Sequence, residues 1–333
     1  MSLAKYFFVA ILFLFGGIAV IGWLKKGSKE KPSIPIVQEI SIPQALPKER
    51  EDPVVQKAPS VEERGEDLPE ADRIHQLFAL DSSKLPFVET VSYASRVPWL
   101  KGRPAWIADY ATHFATSRHF IARSLNRKPD YFTQKVSPGD RFNVFRTDKN
   151  INFYLLIDLS RCKMWFYALD IDANERMLLK TYKVGVGRLD PKRESGSLTP
   201  VGKYVLGEKV AIYKSGTMGF FQDQKTEMIR IFGTRWLPFE KELEGCSEPA
   251  RGLGIHGAPW EGPPSGGELV EDLSKIGAYD SDGCIRLASQ DIEEIFAIVL
   301  TKPTIVELVK DFHDAKLPGV EGTIVKPQLQ PRL

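Results

Sequence analysis

The sequence predicts a mostly β domain over residues 151–310, behind a small α+β domain over 74–150 and a single membrane-spanning helix within residues 1–26. Three observations predict this order. Tyr6 to Leu24 form an uncharged run of 19 residues, long enough to cross an apolar bilayer core of about 30 Å as a helix. Residues 27–73 hold seven prolines and no Phe, Tyr or Trp. Beyond residue 150, β-prone runs follow one another and only one segment has a convincing helical pattern.

Lys5 precedes the apolar run, and Lys25 and Lys26 close it. It ends in Gly-Trp-Leu-Lys-Lys without the small-x-small cleavage site of a signal peptide, so an uncleaved anchor in the inner membrane is expected. More lysine follows the run than precedes it (Lys25, Lys26, Lys29, Lys31), a bias that by itself would keep the rest of the chain cytoplasmic. The Pro-rich segment after it has too little apolar surface to offset its ordering entropy and is expected to be an extended tether.

Composition limits the function classes. Forty-five Lys and Arg against 43 Asp and Glu give a net charge of +2. No basic stripe alternates with aromatics, so nucleic acid is not expected as a partner. The three cysteines form no Cys-x-x-Cys, and His75, His113, His119, His256 and His313 show no ligand spacing. No metal and no cofactor is expected.

In the small domain, residues 106–111 and 118–127 carry apolar residues at helical spacing. Val136 to Val144 reads as a Pro-Gly-Asp turn entering an alternating strand, and the partner strand is expected at Val88 to Tyr93. The order resembles a LysM glycan-binding module over about residues 86–146. That likeness implies glycan strands as a partner and carries over no individual binding residue.

The later domain has strand-forming runs at 153–158, 163–167, 177–184 and 202–206. Ser289 to Leu300 is its helix, with Ser289 as N-cap, Asp291, Glu293 and Glu294 near the positive end, and Pro303 stopping continuation. Residues 311–333 are read as a tail.

Two segments combine glycine with reactive side chains: Gly252 to Trp260, containing Gly-Ile-His-Gly, and Tyr279 to Leu287, containing Ser-Asp-Gly-Cys-Ile-Arg. A cysteine becomes nucleophilic when an imidazolium, a cation or a helix N-terminus lowers its pKa. Cys284 precedes the helix closely and lies two residues from Arg286. Gly283 allows backbone amides to approach a substrate oxygen. His256 sits among glycines as a candidate base, 28 residues before the cysteine. Cys162 and Cys246 read as ordinary structural cysteines, and their pairing with each other stays open.

These two motifs, in this order, resemble the catalytic signature of the L,D-transpeptidases, the YkuD-like family. Thr199-Pro200-Val201-Gly202, the hairpin over 155–167 and Gly233 to Leu237 fall where that family has its Thr-Pro-x-Gly turn, opening hairpin and the strand before its histidine. The resemblance implies a β-sandwich or barrel fold. It also implies a peptidoglycan L,D-transpeptidase that joins stem peptides 3→3 through a cysteine thioester, in cell-wall biogenesis and shape. Under it, Cys284 is the nucleophile and His256 its base. The Gly257 carbonyl orients the imidazole, and the Gly283 and Cys284 amides form the oxyanion hole. Arg286, Trp260, Tyr279 and Asp282 are candidate substrate-binding residues. Peptidoglycan as substrate requires the chain beyond the anchor to face the periplasm or cell wall, against the lysine count. L,D-carboxypeptidase action, or a degenerate peptidoglycan-binding protein, are the alternatives. Two departures stand out. Asp282 replaces the family's usual histidine and is expected to orient the imidazole. A Gly/Pro-rich insert at 261–267, with Glu268, Glu271 and Asp272 after it, is expected to lie over the cleft.

Overall fold

The computed structural model describes residues 56–57, 68–126, 135–208, 210–262 and 267–322. The apolar run Tyr6 to Leu24, most of the Pro-rich tether and the insert tip lie outside the described residues. Among the described residues no helix is long and apolar enough to cross a membrane.

A two-residue strand, β1 (Gln56–Lys57), is followed by a short helix, α1 (Ile74–Phe78). Then come β2 (Val88–Ser92), α2 (Ile107–His113), α3 (Arg118–Asn126) and β3 (Arg141–Phe145). β2 and β3 pair antiparallel, with Val88 opposite Phe145 and Ser92 opposite Arg141. The strand, two helices and strand expected over this region are thus present as elements. The turn into β3 forms because Gly139 takes φ +93°, which only glycine adopts cheaply, and the Ser137 amide donates to Asp140 Oδ2 at 2.7 Å.

Alternation along β3 decides what this unit does in the fold. Phe142 and Val144 face a local core with Tyr93, Tyr110 and Ile121. Phe145 faces the other way and joins Phe120, Leu77 and Phe153 in the main core. The Ser117 hydroxyl donates to the Ala297 carbonyl at 2.6 Å. Apolar packing is therefore continuous across residue 150, and the described residues on either side of it belong to one compact unit.

The remainder is a ten-stranded mixed sheet curled into a half-barrel. It contains β4 (Ile151–Asp158), β5 (Lys163–Asp170) and β6 (Glu175–Lys183), while β7 (Val186–Gly187) belongs to a smaller sheet. Next come β8 (Gly202–Leu206), β9 (Ala211–Ile212), an outlying hairpin β10 (Met218–Phe221) and β11 (Gln224–Glu227), and a one-turn helix α4 (Ile229–Phe232). β12 (Arg235–Glu244), β13 (Gly254–Gly257), β14 (Trp260–Glu261), β15 (Val270–Glu271), β16 (Ala278–Ser281) and β17 (Ile285–Leu287) lead to the main helix α5 (Ser289–Val299). β18 (Thr304–Val309) and β19 (Val320–Glu321) close the order. Across the large sheet the strands run β17-β13-β12-β8-β18-β4-β5-β6-β19.

Both faces of its centre are covered. Phe153, Leu155 and Ile157 of β4, with Met164 and Phe166 of β5, meet α5 in the main core. Tyr154, Leu156, Trp165 and Tyr167 point to a second cluster. That cluster is sealed by Leu68 from the end of the tether and by Phe312 and Leu317 beyond β18. Strands buried on both sides read as continuous apolar runs, as β4 and β5 do. The segment after 310 is accordingly packed, and β19 adds to the edge of β6.

The β4–β5 turn holds a buried ion network. Asp158 accepts from the Arg161 guanidinium, and its second oxygen takes the Arg161 amide at 3.0 Å. The Phe312 amide donates to the same carboxylate at 2.9 Å, and Arg161 also meets Asp311 at 2.7 Å. Cys162 sits beneath this turn in the core, and all three cysteines are unpaired. The Cys162–Cys246 bond is not made. Asp158→Ala would leave Arg161 buried beside a missing partner, and a loss of about 3–5 kcal/mol is expected. Denaturant melts of the soluble domain measure it, and a loss below about 1 kcal/mol contradicts this account.

Candidate active site

β13 and β17 are parallel neighbours with Ile255 opposite Ile285 and His256 opposite Arg286. One step back, the same register sets Gly254 opposite Cys284. Side chains of directly paired residues share a face and alternate along each strand. Ile255, Ile285 and Leu287 therefore point into the core, while Cys284, His256 and Arg286 share the other face. Gly254 leaves the place beside the thiol without a side chain. A Cβ there would come within 2.5 Å of the Leu237 carbonyl oxygen.

His256 is 4% exposed and stands among aromatics. The Phe232 ring meets it edge-on at 5.4 Å and Trp236 lies at 5.9 Å. Its Nδ1 lies 2.7 Å from the Gly257 carbonyl. A carbonyl only accepts, so Nδ1 carries the proton and Nε2 has the lone pair of a base.

The cysteine loop is braced by hydroxyls. Ser281 Oγ donates to the Cys284 carbonyl at 2.6 Å and accepts from the Gly283 amide at 3.1 Å. Thr199 Oγ1 donates to the Gly283 carbonyl at 3.0 Å and accepts from the Gly187 amide at 2.7 Å. Gly283 has φ +123° and lies close to the Leu198 carbonyl, so a Cβ would meet that oxygen at 2.9 Å. Only glycine fits there. Cys284 itself is half-buried, with Sγ 3.6 Å from the Gly252 carbonyl.

The electrostatics differ from the sequence expectation. Burial pushes the Cys284 thiol up to about 11, against opposing help from the Arg286 guanidinium and the Gly254 backbone. Burial, reinforced by Arg286, pushes His256 down to about 3. The resting pair is therefore thiol and neutral imidazole. A lowered thiol pKa was expected from the nearby helix, but the strand β17 separates Cys284 from α5, and desolvation outweighs the one cation beside it.

Arg286 is held by Asp280, which also meets Lys275 at 3.4 Å. Arg286 Nε finds no acceptor among the described residues. Asp282 is 61% exposed on its side chain and accepts from Arg188 at 2.5 Å. The carboxylate expected to orient the imidazole is thus engaged by an arginine instead, because residue 282 points out of the loop. Tyr279 is half-buried and donates to the Ser160 carbonyl at 3.0 Å. Trp260 donates to Ser289 Oγ at 3.2 Å. Ser289 is the first helical residue and not the cap, and its amide donates to Glu271 at 2.5 Å. The insert flanks pair as β14 and β15, with Trp260 opposite Glu271, which anchors this hairpin at the start of α5.

Sequence reasoning quoted Ser281 and Thr199 inside motifs but gave them no role. Arg188 and Asp280 carried no signal, since their partners are distant in sequence or set by strand pairing. Among the described residues no group of three or more His, Cys, Asp or Glu could hold a metal ion.

A buried imidazole on the same face as a glycine-flanked thiol pairs a base with a group that becomes a nucleophile once its proton is taken. Residues 152–308 match the family model of YkuD, the L,D-transpeptidase catalytic domain, and this segment of the chain belongs to that family. Among solved structures, Bd1075 of Bdellovibrio bacteriovorus is similar at 13% identity and a TM-score of 0.32, over 48% of each chain. The helical cell shape determining protein Pgp2 from Campylobacter jejuni is similar at 20% identity and a TM-score of 0.31, over 52% of this chain and 54% of that one. The chain spans about half the length of these structures. No curated protein matches it.

Two outcomes follow from the site. Because the thiolate fraction is set by a pKa near 11, iodoacetamide labelling of Cys284 should rise about tenfold per pH unit from 7 to 10. Peptide-level mass spectrometry reads it, and a plateau near pH 8.5 contradicts the raised thiol pKa. Thr199→Val removes the hydrogen bond to the Gly283 carbonyl and the one from the Gly187 amide, and turnover should fall about tenfold, the scale of a lost buried hydrogen bond. Thr199→Ser should restore most of it, and full activity of the valine variant would refute the bracing.

Proposed function

We propose that this protein is a membrane-anchored peptidoglycan L,D-transpeptidase with Cys284 as nucleophile and His256 as base. The observation that carries the reading is the β13–β17 register, which sets thiol, imidazole and Arg286 on one face of a family-typical sheet. The donor is a tetrapeptide stem. Nε2 of His256 accepts the thiol proton as Sγ attacks the carbonyl at the L-centre of diaminopimelate. The Cys284 amide is the loop donor we assign to the developing oxyanion, since Ser281 Oγ already engages the Gly283 amide. Collapse expels D-alanine, whose amine takes the proton back from His256, and leaves a thioester on Cys284. The side-chain amine of a second stem then attacks, giving its proton to His256, and the 3→3 bond forms as the thiol is released.

A neutral resting pair suits this sequence, because proton transfer then accompanies attack and needs no preformed ion pair. Substrate in the cell wall places residues beyond the apolar run outside the inner membrane, with the Pro-rich segment as the reach between membrane and wall. The unit over 86–146, if it takes glycan strands as its LysM-like pattern implies, would hold the enzyme along its polymer.

Incubation of the soluble fragment with tetrapeptide muropeptides, followed by mass spectrometry, tests the reading. Cross-linked dimers with released D-alanine are expected from the wild type, and none from Cys284→Ala or His256→Ala. Tripeptides without dimers would replace transfer by L,D-carboxypeptidase hydrolysis. Stem binding without any product would make the chain a receptor.

A further inference from the structure

Beside the cysteine loop lies an ion pair, Arg188 with Asp282, that the chemical steps do not use. Arg188 follows β7, and its backbone is locked from both sides. Its amide donates to the Ser281 carbonyl at 2.9 Å, and its carbonyl accepts from Leu198 at 2.8 Å. Ser281 and Leu198 are also the neighbours that shape the cysteine loop, so the base of this side chain is fixed relative to Cys284. Its outer end is in water, with the Arg188 and Asp282 side chains 39% and 61% exposed.

We propose that Arg188 binds a carboxylate of the donor stem peptide, which displaces Asp282 from it. The proposal rests on the peptidoglycan reading above. Three features support it. An ion pair this exposed contributes little and exchanges readily with another anion. The contact between them uses one amino group of Arg188 and one oxygen of Asp282, whereas a guanidinium fork can take a carboxylate through two parallel hydrogen bonds. The second guanidinium beside the thiol, Arg286, is only 15% exposed and held by Asp280, so it serves the loop. Asp282 thus acts as a stand-in that holds the Arg188 guanidinium beside the cysteine loop until substrate arrives. Two carboxylates of the stem have the required chemistry: that of the terminal D-alanine and that at the second centre of diaminopimelate.

Steady-state kinetics on three synthetic stems tests this: the free acid, the terminal D-alanine amide and the diaminopimelate amide. Wild type should show a KM about tenfold higher for one of the two amides, with kcat changed less, and that amide names the carboxylate. Arg188→Ala should raise the free-acid KM to the level of that amide, erasing the preference, and Arg188→Lys should recover part of it. Asp282→Asn should lower the free-acid KM, since it removes the competing anion. The lysine and asparagine variants carry the test if the alanine variant fails to fold. Equal wild-type KM for all three stems, a preference that survives in Arg188→Ala, or a raised free-acid KM in Asp282→Asn overturns the proposal and leaves the peptidoglycan reading standing. Failure of the wild type to turn over any stem overturns that reading as well.

Discussion

Parallel pairing of β13 with β17 is the constraint on which the site depends. With His256 opposite Arg286, a one-residue slip of either strand would turn its reactive side chain toward the main core and its isoleucine away from it. The burial of Ile255 and Ile285 in the main cluster therefore fixes the register of the site. Hydrophobic packing on one face of two short strands positions reactive groups on the other.

The second layer of control is burial. Phe232, Trp236 and the sheet itself exclude water from His256, and the same exclusion holds Cys284 as a thiol. Arg286 acts on both, favouring the thiolate and disfavouring the imidazolium. It makes the cysteine a better nucleophile without converting the histidine into a resting cation. Ser281 and Thr199 then hold the loop carbonyls and the Gly283 amide in place, so the backbone geometry beside the thiol is set before any substrate binds.

The small α+β unit is joined to this machinery through α5. Phe120 and Phe145 share a core with Phe296, and the Ser117 hydroxyl meets the Ala297 carbonyl. The same helix packs under β12 and β13.

The local signals for β4, β5, β6, β8 and α5 were legible because apolar runs, turn residues and a proline stop act over a few neighbours. His256 and Cys284 were legible because glycines and reactive groups sit together in short motifs resembling a known family. Sequence also located Asp282 as a departure, yet it suggested a partner in the imidazole. The partner is Arg188, brought there by pairing of β7 with β16, 94 residues apart in the chain. The direction of the Cys284 pKa was likewise decided by tertiary structure, since desolvation depends on what surrounds a group and not on the residues next to it in sequence. Short-range chemistry determined which residues could react; strand register and burial decided which of them meet, and in what protonation state.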